Sequence, residues 1–160
     1  MTPPTLRSQS AVVLATFGYV GFAPFAPGTV GSAAALIVFV PLRVAANPWI
    51  EVLASVALFF AGVWAARLTE QHLGVDDPGP VVIDEVVGML VSLLFLPFSW
   101  PVVAAAFVAL RCFDIVKPWP AGRLESLHGG WGIMADDVMA AIYANLLVHL
   151  LVWFRPEWMR

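Results

Sequence analysis

The adjacent acids Asp84-Glu85 lie between the apolar runs Val81-Val82-Ile83 and Val86-Val87, where carboxylates near lipid are costly unless satisfied or functional. Neighbouring carboxylates at a helix start supply the oxygen donors that a hard cation prefers. The competing reading is a helix N-cap with favourable dipole placement. A second acid pair, Asp136-Asp137, follows Gly129-Gly130-Trp131-Gly132, whose glycines let backbone approach a ligand closely. An N-cap accounts for one of these acids, not for both. Between the pairs, Arg111-Cys112-Phe113-Asp114-Ile115-Val116-Lys117-Pro118 brings a guanidinium fork and an ammonium, both suited to phosphate oxygens, around a carboxylate that can hold a cation or position a base. The alternative there is a structural salt bridge of Asp114 with Arg111 or Lys117. Pro24-Phe25-Ala26-Pro27-Gly28-Thr29-Val30-Gly31-Ser32 reads as a rigid turn opening a helix, whose unpaired N–H groups suit an anion, or as a simple break with Thr29 as N-cap. Taken together, these residue types describe a hard-cation and phosphate site.

Other reactive types are sparse. Cys112 is the only cysteine, so an intrachain disulfide is impossible, and a Cys-x5-Arg phosphatase loop is excluded because position 118 is proline. The thiol is expected to be buried packing. His72 and His128 fall in expected loops and His149 in the last helix, without paired ligand spacing. Asp76-Asp77-Pro78-Gly79-Pro80 reads as a turn without a catalytic part. Trp49, Trp100, Trp153 and Trp158 sit near expected membrane boundaries, where aromatic belts form.

The elements that position these residues must live in lipid. The 160 residues are 61% apolar and 12% charged, against roughly 45–50% and 25% in soluble domains. A net charge of −3 without a basic cluster excludes nucleic acid as partner. Apolar stretches run over Ala11–Ala23, Thr29–Ala46, Trp49–Ala66, Val86–Phe98, Pro101–Phe113 and Val138–Phe154. Only the second, third and last approach the roughly 20 residues of a full span. The first reads as interfacial or re-entrant; a cleaved signal peptide is disfavoured by the single charge, Arg7, before it. The expected fold is an all-α, polytopic membrane helical bundle with about four to five transmembrane or half-spanning helices plus that N-terminal segment, one domain over residues 1–160.

Prolines 97 and 101 predict a hairpin of two short helices turning at Leu96–Pro101. With Gly28 on one side, crossings over Thr29–Ala46 and Trp49–Ala66 return the chain to that side at Asp84. The hairpin then returns Asp114, and Asp136-Asp137 open the last helix from the same face. A single span over 86–113 would instead part Asp84 from the other acids. The convergent face carries Arg7, Arg67, Arg111, Lys117 and Arg123, and the other Arg43, Arg155 and Arg160; this bias predicts a site facing the cytoplasm.

At these four segments the chain resembles the phosphatidylglycerophosphatase A family of bacterial inner-membrane enzymes, from Gly21 to Asn145. The likeness rests on Pro24-x-Ala26-Pro27-Gly28-Thr29-x-Gly31-Ser32, Ile83-Asp84-Glu85-Val86-Val87-Gly88-Met89, Arg111-x-Phe113-Asp114-Ile115-x-Lys117-Pro118 and Gly132-Ile133-Met134-Ala135-Asp136-Asp137. Ala141 departs from the family's pattern, where glycine is expected, and should alter helix packing rather than chemistry. The resemblance implies Mg²⁺-dependent hydrolysis of phosphatidylglycerophosphate to phosphatidylglycerol and phosphate in the bacterial inner membrane. The expected site is then a nest of Asp84, Glu85, Asp114, Asp136 and Asp137 around one or two Mg²⁺ ions. Asp114 or Asp137 would act as base, with an aspartyl-phosphate route left open, and Arg111, Lys117, Gly28, Thr29 and Ser32 would grip phosphate. The alternative class is a small ion transporter or metal-binding membrane protein using the same acids; a purely structural subunit leaves the twin acid pairs unexplained. Oligomeric state stays open.

Overall fold

Helices follow the apolar runs, and the Pro, Asn, Ser and Gly residues between them mark the ends. The computed structural model describes residues 6–154 and Glu157; Arg155, Trp158 and Arg160, named above as charge and anchor residues, lie outside the described residues. Among those described there are helices and turns and no strands. Helix α1 (Leu6–Ala15) is followed by a turn and a short 3-10 segment (Val20–Phe22). Then come α2 (Pro27–Ala34), α3 (Leu36–Val44), α4 (Pro48–Leu73), α5 (Ile83–Ser92), α6 (Trp100–Val116), the single turn α7 (Ala121–Leu124) and α8 (Gly130–Phe154).

Local chemistry explains the boundaries. Asn47 caps α4 by accepting from Trp49 N at 3.0 Å, Pro48 occupies its first turn, and Gly74 closes it in the left-handed conformation at φ 66°. Ser99 caps α6 in the same way, accepting from Val102 N at 3.4 Å. Three segments, Pro27–Val44, Pro48–Leu73 and Gly130–Phe154, are long and apolar enough to cross a bilayer. At helical rise they measure about 27, 39 and 38 Å, against a hydrocarbon core of about 30 Å. Leu53 and Phe60 on α4 and Leu146, Leu150 and Trp153 on α8 stay exposed on outward faces, as side chains in lipid can. The chain is a helical membrane protein.

The central element is a short one, of 10 residues. Helix α5 packs against α8, α4, α2 and α6, burying Val86, Val87, Met89 and Leu90, and is only about 15 Å long. The α4–α8 seam is close because Gly62 has no side chain: a Cβ there would stand 2.7 Å from the Met134 sulfur and terminal methyl. The hairpin is present, with the start of α5 and the end of α6 brought together by an Arg111–Glu85 contact of 3.7 Å.

Several boundaries differ from the expectation. The turn begins earlier than Leu96–Pro101: α5 ends at Ser92 and Phe95 is left-handed at φ 60°. The prolines do not end the helix. Its last carbonyls are taken by side chains from elsewhere, Asn145 donating to Ser92 O and Leu94 O at 3.1 and 2.9 Å and Arg43 to Leu93 O and Leu96 O. Helix α2 starts at Pro27 with Ala26 as N-cap, so Thr29 is not the cap. The stretch from Thr29 onward is interrupted by a turn at Ala35. His72 belongs to the last turn of α4 rather than to a loop. Cys112 is exposed, not packed, because it projects from the outer side of α6.

Candidate metal and phosphate site

Four elements converge at the end of the bundle where α5 begins. Asp84 and Glu85 stand in the first turn of α5 after Val82, whose N–H is tied to Ala15 O at 2.9 Å. The N-cap reading fails for both acids, since Val82 is the cap and makes no side-chain cap bond; favourable placement in the positive first turn remains. Asp136 and Asp137 sit in the second turn of α8, which starts at Gly130, so neither is an N-cap. Both are buried, with 6% and 4% of their surface exposed.

One oxygen from each of Asp84, Glu85 and Asp137 lies within 4.8 Å of the others. Asp84 Oδ1, Glu85 Oε2 and Asp137 Oδ2 are all shut off from solvent and accept no hydrogen bond from a described donor. Ionised carboxylates held together out of water without donors cost several kcal/mol each. A divalent cation relieves that cost, and an all-oxygen donor set without His or Cys suits a hard ion of the Mg²⁺, Ca²⁺ or Mn²⁺ class. The residues therefore fit a metal.

The cations stand beside this trio. Arg111 Nη1 is 2.9 Å from Asp114 Oδ2 and 3.7 Å from Glu85 Oε1, while its buried Nε donates to no described acceptor. The Arg111–Asp114 salt bridge posed as an alternative is thus formed. Lys117, the left-handed C-cap of α6, pairs instead with Asp136 Oδ2 at 2.8 Å and Glu125 Oε1 at 3.0 Å. Partial burial works against its charge, but the bonds to Asp136 and Glu125 outweigh it and hold the ammonium above its ordinary range. Asp136 also accepts from Asp137 N at 3.0 Å, which orients the neighbouring acid.

Gly28 completes the wall. A Cβ at this position would land on Glu85 Oε1 and stand 3.1 Å from Arg111 Nη1, so only glycine lets α2 press its first turn on the acid–arginine pair. All these groups line one cavity of about 570 Å³: Gly28, Asp84, Glu85, Arg111, Asp114, Lys117, Asp136 and Asp137. Thr29 and Ser32 do not line it. Ser32 is fully buried and donates its hydroxyl to Gly28 O at 3.0 Å, fixing the α2 turn from behind. The cavity is also lined by Glu70 and Glu125, for which there was no expectation, and by Asp77 and His128, which were expected in a turn and a loop away from the site. A signal was present for Asp77, an acid seven residues before Asp84 on a Pro/Gly turn. Glu70 holds that turn by accepting from Asp77 N at 3.3 Å.

The sequence that builds this site matches a known family. A family model described as phosphatidylglycerophosphatase A aligns with residues 13–152. The chain belongs to that family. Among its relatives are proteins named phosphatidylglycerophosphatase A from Haemophilus influenzae, 40% identical over 81% of this chain and 80% of theirs, and from Escherichia coli, 36% identical over 82% and 77%. A Bacteroides thetaiotaomicron protein carrying the provisional name phosphatidylinositol-3-phosphatase is 41% identical over 83% of this chain and 87% of its own. No solved structure matches the chain. Membership makes the protein a phosphatase, and the matched residues include every wall of the cavity.

Proposed function

We propose that the protein removes the terminal phosphate of phosphatidylglycerophosphate, giving phosphatidylglycerol, with Mg²⁺ held by Asp84, Glu85 and Asp137. The observation that carries this reading is the trio of buried carboxylate oxygens without donors, within 4.8 Å of one another and in one cavity with Arg111 and Lys117. A bound Mg²⁺ would offset phosphate charge and polarise the phosphomonoester.

The chain's own residues divide the remaining work. Arg111 Nε has no other acceptor and points to a role on a phosphate oxygen, with Asp114 and Glu85 holding the guanidinium in place. Lys117 spends two of its three N–H donors on Asp136 and Glu125 and keeps one for phosphate. The first-turn amide of α2 at Gly28 has no intrahelical partner and suits the same anion; Ser32 supports that turn rather than touching substrate. Between the two candidates for general base, Asp114 is committed to Arg111. Asp137, whose Oδ2 belongs to the metal-holding trio, takes the proton of an attacking water on its other carboxylate oxygen. The cationic Arg67, Arg111, Lys117 and Arg123 support a cytoplasmic face of the inner membrane for the site, and the whole chain acts as one catalytic unit.

The test is release of inorganic phosphate by purified protein in detergent, from phosphatidylglycerophosphate against phosphatidic acid and phosphatidylinositol 3-phosphate, with chelator and with Mg²⁺ restored. Release from the first lipid, abolished by chelator and recovered with Mg²⁺, is expected. Full turnover in chelator removes the metal role; preference for the inositol lipid reassigns the substrate. Metal-dependent binding without phosphate release would favour the ion-transporter class.

A further inference from the structure

A second cavity, an apolar groove of about 280 Å³, lies between α4, α5 and α8, two of which carry the carboxylate trio. Its walls are Val52, Val56 and Phe59 of α4, Val87 and Val91 of α5, and Val138 of α8. Ser55, the polar residue along it, turns its hydroxyl to Glu51 O at 2.8 Å, so the wall is apolar throughout. One end lies near the catalytic cavity along the chain. Val87 follows Asp84 by one turn of α5, on the same face of the helix, and Val138 is the residue after Asp137. From there the groove runs along α4 from Phe60 to Val52 and along α5 to Leu94, roughly 12 Å at helical rise. It ends where α5 itself stops, short of a full span.

We infer that this groove holds one acyl chain of the substrate lipid, an assignment that rests on the proposed phosphatase reading. A phospholipid whose terminal phosphate sits at the trio must bring its glycerol and tails along the bundle. The groove is an apolar path that begins near the trio and follows α4, a helix long enough to cross the bilayer. The shortness of α5 then has a use: beyond Leu94 the chain passes into bulk lipid. The acyl chain thereby sets the orientation of the headgroup, and Val56 and Val91 become residues that determine chain specificity.

Two measurements test this. Val56→Trp and Val91→Phe fill the groove from α4 and α5. Each should raise KM for long-chain phosphatidylglycerophosphate about tenfold or more, with kcat kept and with the slow turnover of the deacylated headgroup unchanged. Val108→Trp, on an exposed face of α6, should change neither. In the unaltered protein, a phosphatidylglycerophosphate carrying a photoreactive diazirine midway along one chain should, in chelator, label residues 52–60 and 87–94. Excess unlabelled substrate should compete and phosphatidylcholine should not. Unchanged KM in both groove variants overturns the inference. So does labelling spread over the outer face of α8, which would mean bulk lipid, or labelling between two copies of the chain. If the unaltered protein hydrolyses neither lipid nor deacylated headgroup, the phosphatase reading fails, and the labelling pattern still decides the groove.

Discussion

Two charged clusters stand at opposite ends of α5, and they treat buried charge in opposite ways. At the far end Arg43 and Glu51 form a closed clasp. Arg43 Nε lies 2.8 Å from Glu51 Oε1, Nη2 donates to Glu51 Oε2 at 3.0 Å and to Leu93 O at 3.1 Å, and Nη1 donates to Leu96 O. The guanidinium also covers the Phe39 ring at 4.8 Å. At the near end Asp84, Glu85 and Asp137 leave three buried oxygens without donors. A charge paired with an opposite charge of the chain itself serves architecture, here by pinning the turn that ends α5. A charge left unsatisfied costs stability and is kept where a ligand completes it.

The comparison predicts opposite mutational signatures, and the nest should give the largest. Asp84→Asn and Asp137→Asn should each lower phosphate release about a thousandfold or more. In chelator the same variants should unfold later than the unaltered protein, by about 0.5–2 kcal/mol, because one unpartnered charge is gone. Unfolding in mixed micelles reads the second effect; a loss of stability in chelator would show that the nest is a structural cluster after all.

Glu51→Gln should do the reverse. Leaving the part-buried Arg43 without its charged partner is expected to cost about 1–3 kcal/mol, while turnover per folded molecule stays near the unaltered value. A variant that is stable but inactive would break the division between the two clusters.

The smallest effect sharpens the comparison within the nest. Gly28→Ala places a methyl on Glu85 Oε1 and should slow turnover roughly ten- to a hundredfold by displacing that carboxylate. Its unfolding should change little, because the moved group is the end of a side chain. Equal loss of stability and activity would mean that the α2 turn is packing rather than a wall of the site.

Much of the site was legible because burying a charge in an apolar chain is expensive enough to stand out. Asp84-Glu85, Arg111, Asp114, Lys117 and Asp136-Asp137 all line one cavity, and Gly28 was marked by its Pro/Gly turn. The misreadings have physical causes. Ser32 and Thr29 shared a motif with Gly28, but a helix turns about 100° per residue, and only one face of α2 meets the cavity. One of Asp136 and Asp137 was open to an N-cap reading because the last helix was expected to start at these acids; instead α8 begins at Gly130, against the backbone of α4 at Val63 and Arg67.

From sequence alone, the medium, the helical class and the residue types lining the candidate site follow, since hydropathy and the cost of charge in lipid are local properties. The sequence also indicated the hairpin, through its prolines, though not where the hairpin turns. Tertiary structure decided that, because Asn145 and Arg43, distant in the chain, take up the carbonyls freed at the end of α5. It also decided which acids are paired and which are left open. Asp136 and Asp137 are neighbours of equal chemistry, and only the position of Lys117 satisfies one and leaves an oxygen of the other without a donor.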